Sequence, residues 1–144
     1  MESFDRILIL DLGSQVTQLI ARRVREIGAY CEIWPHGTSP EKIRSFDPRG
    51  IILSGGPASV NDPACPRVNQ DIFKMDLPIL GICLGQMVMC TQLGGRVETQ
   101  DHREFGPARV SISGGCGLLE GKWGSGEKTV WMSHGDIVSD LPPG

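Results

Sequence analysis

The sequence predicts an α/β fold with a parallel sheet and right-handed crossovers. Two observations carry this. Apolar residues come in short continuous runs rather than in alternation, as in strands covered on both faces. Each run is followed, after a short turn, by a stretch that reads as a helix, and the alternation occurs four times before Gly94-Gly95.

The first strand is Ile7-Leu8-Ile9-Leu10, ending at Asp11. Gly13 and Ser14 make the turn, and Val16, Leu19, Ile20, Val24 and Ile27 then recur at helical spacing until Gly28. Ser14 suits the N-cap of that helix and Gly28 its C-cap. Cys31-Glu32-Ile33-Trp34 is a second strand, stopped by Pro35, and Pro40 to Phe46 is a short helix. Gly50-Ile51-Ile52-Leu53 is a third strand that opens into Ser54-Gly55-Gly56-Pro57. A helix is expected from Arg67 to Lys74. Pro78-Ile79-Leu80-Gly81-Ile82 is the fourth strand, with Leu84 to Leu93 as the helix after it. Residues 96–133 differ in texture, with β-like runs at Ala108 to Ile112 and Lys128 to Met132 separated by glycines. An antiparallel hairpin region attached to the same sheet is expected there.

The length of 144 residues fits one domain, with a core covering roughly two-thirds of the unfolded chain's surface. A net charge of -3, from 14 Lys+Arg and 17 Asp+Glu, leaves no electrostatic footprint for nucleic acid or an anionic membrane. The basic group Arg22, Arg23 and Arg25 reads as the solvated face of a helix. No apolar stretch approaches the ~20 residues of a membrane span, and Met1-Glu2-Ser3-Phe4-Asp5-Arg6 is not a signal peptide. Five cysteines, an odd number with no CxxC pair and no Cys/His zinc spacing, favour a reducing, cytoplasmic compartment and no metal.

The stretch Gly81-Ile82-Cys83-Leu84-Gly85 carries the chemistry. A strand runs into a nucleophile with a glycine two residues to either side, and a helix starts at once, which is the cysteine form of the nucleophile elbow. Such a turn presents the sulfur at the carboxyl edge of the sheet, where open α/β sheets place their ligands. It also sets Cys83 at a helix N-terminus, whose dipole and free N–H groups favour thiolate. The competing reading is a buried core cysteine between two turn glycines. Cys31, Cys65, Cys90 and Cys116 take that structural role, with Cys90 packed inward along the helix.

Ser54-Gly55-Gly56-Pro57 follows a strand and therefore lies on the same rim. Alone it is a turn. Beside the elbow, its glycine amides suit the oxyanion of acyl chemistry, with the Leu84 N–H as second donor. Trp131-Met132-Ser133-His134-Gly135-Asp136 ends a late strand, and its histidine reads as a base, a ligand contact or a capped turn. His36 and His102 are weaker candidates. Gly121 and Gly126 have the P-loop interval, but Glu127 intervenes before Lys128-Thr129 and a β-like run follows, so no phosphate cradle is expected.

At these residues the chain resembles the class I (triad-type) glutamine amidotransferases, the elbow and the Ser54-Gly55-Gly56-Pro57 loop carrying the likeness. Three further stretches resemble the GMP synthetase branch of that family: Ile9 to Gln15 with Thr17 to Arg25, Arg103-Glu104-Phe105-Gly106, and Val130 to Asp136. The resemblance implies a flavodoxin-like open sheet, mostly parallel with an antiparallel extension. It implies a glutaminase in which Cys83 attacks L-glutamine and Gly56 and Leu84 amides hold the oxyanion. Gly55, Ser133, His134, Gly135 and Asp136, with position 87, would hold the substrate, so that His134 is not the base. The domain itself would need no cofactor. ATP and Mg would belong to an ATP-pyrophosphatase (synthetase) domain or subunit that uses the ammonia to aminate XMP to GMP in purine biosynthesis. A homodimer is a form open to such a full-length enzyme.

Two departures from the family pattern stand out. The family carries Gln four residues after the nucleophile; here that residue is Met87, and Gln86 lies one place early, ~100° around a helix. The family's catalytic His and Glu lie in a His-Pro-Glu motif, which is not found in this chain. Residues 1–144 are therefore expected to be an incomplete amidotransferase domain, inactive or nearly so alone. The alternatives are a flavodoxin-like binding module without turnover, or the glutaminase of another amidotransferase such as that of carbamoyl-phosphate or anthranilate synthesis. The Arg103 to Gly106 stretch argues against the latter.

Overall fold

A computed structural model of the chain describes residues 5–112, 117–119, 121, 123 and 126–144, without the side chains of 100–104 and 134. The expectations for Met1 to Phe4, for Cys116 and for the side chains of His102, Arg103, Glu104 and His134 lie outside the described residues. Residues 1–99 with 136–144 form one compact unit and residues 100–135 another.

The first unit is a four-stranded sheet in the order β2-β1-β3-β4. Its strands are β1 (Arg6–Asp11), β2 (Tyr30–Pro35), β3 (Gly50–Leu53) and β4 (Ile79–Gly81), and every neighbouring pair is parallel. Side chains along β1 alternate between two cores. Leu8 and Leu10 join Ile51, Leu53 and Val88 on one face, while Ile9 meets Ala21 and Cys31 on the other. Burial on both faces explains why the run 7–10 is apolar without interruption. The chain steps outward from β1 to β2 and then returns to place β3 on the other side of β1. The switch point of this flavodoxin-type order lies between β1 and β3.

Helix α1 (Thr17–Glu26) begins two residues later than Ser14 would start it. Its N-cap is Val16, with no side-chain cap, because Ser14 Oγ accepts instead from the Val16 amide at 3.1 Å. The face laid on the sheet is Thr17, Ile20, Ala21 and Val24, and Val16, Leu19 and Ile27 of the expected stripe are exposed. Gly28 ends the helix as expected. It has φ +88°, its amide donates to Arg25 O, and the Ala29 amide donates to Val24 O, a Schellman closure. Arg22 and Arg23 pair with Glu26 on the solvated face.

Helix α2 (Pro40–Phe46) has Pro at its start and Ser39 as N-cap, and it sends Ile43 into the core. The helix expected from Arg67 is shorter and tighter, a 3-10 helix Gln70–Lys74 capped by Asn69. The cause lies in Val68, whose N–H and C=O are both taken by the Gln92 side chain at 3.2 and 2.9 Å. Helix α3 (Leu84–Gln92) follows β4 after two residues and buries Leu84, Met87, Val88 and Cys90.

The last strands, β5 (Arg96–Val110) and β6 (Lys128–Asp140), pair with each other in a two-stranded sheet of their own rather than lengthening the first sheet. Arg96 lies against Asp140 and Thr99 against Asp136, the reversed order of an antiparallel pair. Lys128 and Thr129 stand in a strand, as the rejection of a phosphate cradle requires. Among the described residues no helix is long and apolar enough to cross a membrane, and no group of His, Cys, Asp or Glu is arranged to hold a metal ion.

Candidate active site

The carboxyl ends of β1, β3 and β4 bring together Asp11 to Ser14, Ser54 to Pro57, and Cys83. Two backbone bonds lock these ends in step: Ser54 N donates to Leu10 O at 3.0 Å and Ile82 N to Leu53 O at 3.0 Å.

Cys83 is exposed, whereas Cys31, Cys65 and Cys90 are buried. Its backbone sits at φ 53°, ψ -116°, a left-handed region that non-glycine residues enter at a cost of order 1–3 kcal/mol. The surrounding turn enforces it. Gly85 N donates to Ile82 O, and Gln86 and Met87 N–H groups both point at Cys83 O, so α3 starts directly under the sulfur. The two flanking glycines are dictated by contact. A Cβ on Gly81 would lie 2.6 Å from Gln86 N and Cα. One on Gly85 would collide with Leu53 O and come within 2.7 Å of Ser54 O.

The glycine pair is beside the cysteine. A Cβ on Gly55 would sit 3.3 Å from Cys83 Cβ, and one on Gly56 would strike Leu12 O and lie 2.6 Å from Leu84 Cδ2. Among the described residues, neither the Gly56 nor the Leu84 amide donates a hydrogen bond to the protein. Burial pushes the thiols of Cys65 and Cys90 up from the ordinary cysteine value, which disfavours their thiolate forms.

Other expected residues fall elsewhere. Met87 is 8 % exposed and packs in the core, while Gln86 on the next position is exposed. Position 87 therefore presents its side chain to the core, with Gly85 pressing α3 onto β3. Asp136 makes three hydrogen bonds within the first unit. Oδ2 accepts from Ser59 Oγ at 2.7 Å and Val60 N at 3.3 Å, and Oδ1 accepts from Thr99 Oγ1 at 2.8 Å. Its carboxylate thus clamps the segment after Pro57 to the start of β5. Ser133 is exposed in the second unit, where Gly135 is also found. His36 Nδ1 lies 2.7 Å from Arg67 O in a groove of about 550 Å³ that includes Asp11, Trp34 and Pro66 but not Cys83.

Sequence reasoning missed the buried Ser54 hydroxyl, which binds the Leu12 amide at 2.9 Å across 42 positions, and the clamp at Asp136. No local pattern signals either contact.

Comparison with known proteins agrees with this architecture. A GMP synthase component from Thermoplasma acidophilum superposes with a TM-score of 0.77 at 28% identity, over 99% of this chain and 70% of that one. A glutamine amidotransferase from Methylobacillus flagellatus, 23% identical, shares the fold with a TM-score of 0.74, over 99% of this chain and 59% of its own. By sequence the chain is 57% identical to the glutamine-hydrolyzing GMP synthase of Allorhizobium ampelinum and 55% to that of Bradyrhizobium diazoefficiens, over 97% of its own length. It spans only 27% and 26% of those two relatives. The profile of the glutamine amidotransferase class-I family matches residues 8–144, and the chain belongs to that family.

Proposed function

We propose that the chain is the glutaminase part of a GMP synthetase, releasing ammonia from L-glutamine. The observation that carries this reading is the exposed Cys83, held at φ 53° at the start of α3 with Gly55 packed against its Cβ. Cys83 Sγ attacks the side-chain amide carbon of glutamine, forming an S–C bond and a tetrahedral oxyanion. The Gly56 and Leu84 amides receive that oxyanion, and their lack of protein partners among the described residues supports the assignment. On collapse the amide nitrogen takes up a proton and leaves as ammonia, and a glutamyl thioester remains. Water then displaces the sulfur and releases glutamate. Gly55 borders the place of the substrate beside Cys83, and Asp136 holds the loop.

The ammonia passes to an ATP-using synthetase domain or separate chain that binds Mg and converts XMP to GMP. The names carried by the Allorhizobium and Thermoplasma relatives support this destination. The test is made in the enzyme joined to that synthetase part. Cys83→Ala is expected to abolish GMP formation from glutamine and to leave GMP formation from added ammonium salt intact. Retention of glutamine-dependent synthesis by Cys83→Ala refutes the proposal.

A further inference from the structure

We propose that Asp11 and Ser54 are positioning residues that set the Gly55-Gly56-Pro57 loop for catalysis, an inference that rests on the glutaminase reading above. Ser54 is fully buried at the end of β3. Its Oγ accepts the Leu12 amide at 2.9 Å, and its proton is shared between Asp11 Oδ1 at 3.4 Å and Gly55 O at 3.0 Å. Asp11 Oδ1 also accepts from Gly13 N at 3.0 Å and Thr17 Oγ1 at 2.9 Å, and Thr17 is itself buried. One carboxylate oxygen thus gathers the turn after β1, the first residue of α1 and the residue that precedes the glycine pair.

The consequence reaches Gly56 through Leu12. The Leu12 N–H is fixed by Ser54, and the next peptide, which carries Leu12 O, has its Gly13 N–H fixed by Asp11; Leu12 O then faces Gly56 so closely that no Cβ fits between them. The space where a Gly56 Cβ would stand is closed by Leu12 O and by the Leu84 side chain. The amide that receives the oxyanion is therefore located by a relay: Asp11 to Ser54, Ser54 to Leu12, Leu12 to Gly56. These residues make no contact with substrate in this scheme. They act by keeping a donor where charge develops, which lowers the barrier without strengthening ground-state binding.

A chloroketone analogue of glutamine tests this on the full chain without requiring turnover. Cys83 Sγ bonds to its terminal carbon and chloride leaves, while the ketone oxygen occupies the place of the oxyanion. The limiting alkylation rate reports the donors, and the half-saturating concentration reports substrate binding. Ser54→Ala is expected to lower the limiting rate about tenfold, less than outright removal of an oxyanion donor, with half-saturation within about threefold of wild type. Asp11→Ala should behave alike, and Asp11→Asn, whose amide oxygen still accepts the same hydrogen bonds, should restore the rate to within about threefold. An unchanged limiting rate in folded Ser54→Ala overturns the proposal. So does an Asp11→Asn variant as slow as Asp11→Ala, which decides the matter if Ser54→Ala does not fold. If wild-type Cys83 is not labelled, or L-glutamine does not protect it, the glutaminase reading falls and takes this inference with it. Labelling with protection but no effect of Ser54→Ala sinks the relay alone.

Discussion

Substituting Gly85 by Ala should cost stability and reactivity together. The added Cβ would collide with the Leu53 carbonyl oxygen and lie 2.7 Å from Ser54 O and 2.8 Å from Leu53 C. All three obstacles are backbone, and Leu53 is fully buried with its carbonyl already accepting from Ile82 N. No side chain can rotate away, so α3 must lift from the end of β3 by several tenths of an ångström. Overpacking of this kind costs about 1–3 kcal/mol, and backbone obstacles put it at the upper end. With a urea slope of ~1–3 kcal/mol/M, that is a fall of roughly 1 M in the unfolding midpoint. Gly37→Ala is the control, because nothing lies within 4 Å of its Cβ position and its φ is not left-handed. It should leave the midpoint unchanged or raise it slightly. The same lift separates Cys83 from Gly55, so Gly85→Ala should also alkylate Cys83 with the glutamine analogue more slowly. A Gly85→Ala chain with the midpoint of Gly37→Ala and the alkylation rate of wild type would refute the steric account of the elbow.

Further outcomes follow from other contacts. Asp136→Ala removes the acceptor of three hydrogen bonds, to Ser59, Val60 and Thr99, and should destabilise by about 1–3 kcal/mol in urea unfolding. Glu26→Gln breaks ion pairs with Arg22 and Arg23, whose side chains are 76% and 72% exposed, and should cost less than ~1 kcal/mol, shrinking further in high salt. Glu32 accepts hydrogen bonds from Tyr30 Oη and Trp34 Nε1, which hold its carboxyl below the usual range. A depressed native pKa contributes stability above the unfolded value and loses it as pH falls through the native one. Glu32→Gln should therefore flatten the acid limb of a stability–pH profile, which urea midpoints between pH 3 and 6 would check (about the carboxylate range).

The fold was legible in the sequence where local pattern decides structure. Ile7 to Leu10 and Gly50 to Leu53 had to be strands covered on both faces, and the glycines at 81 and 85 marked the elbow because each stands where backbone meets backbone. What sequence left hidden depends on partners far along the chain. The start of α1 is shifted because Asp11 and Ser14 spend their oxygens on the turn. The helix expected at Arg67 shrinks because Gln92, 24 positions away, takes the Val68 backbone. No local pattern signals that the Asp136 carboxylate reaches back 77 positions to Ser59. The exposed Val16 and Leu19 show the same limit: helical spacing fixes a stripe, but small Ala21 decides which stripe lies closest to the sheet.

The central claim, that Cys83 is a presented nucleophile in a glutamine site, meets its most direct test in a peptide map after brief treatment with the chloroketone analogue. The account predicts one saturable adduct at Cys83, blocked by L-glutamine, with buried Cys31, Cys65 and Cys90 unmodified in the folded chain. Adducts spread evenly over those four thiols, or a Cys83 adduct that L-glutamine does not slow, would contradict it.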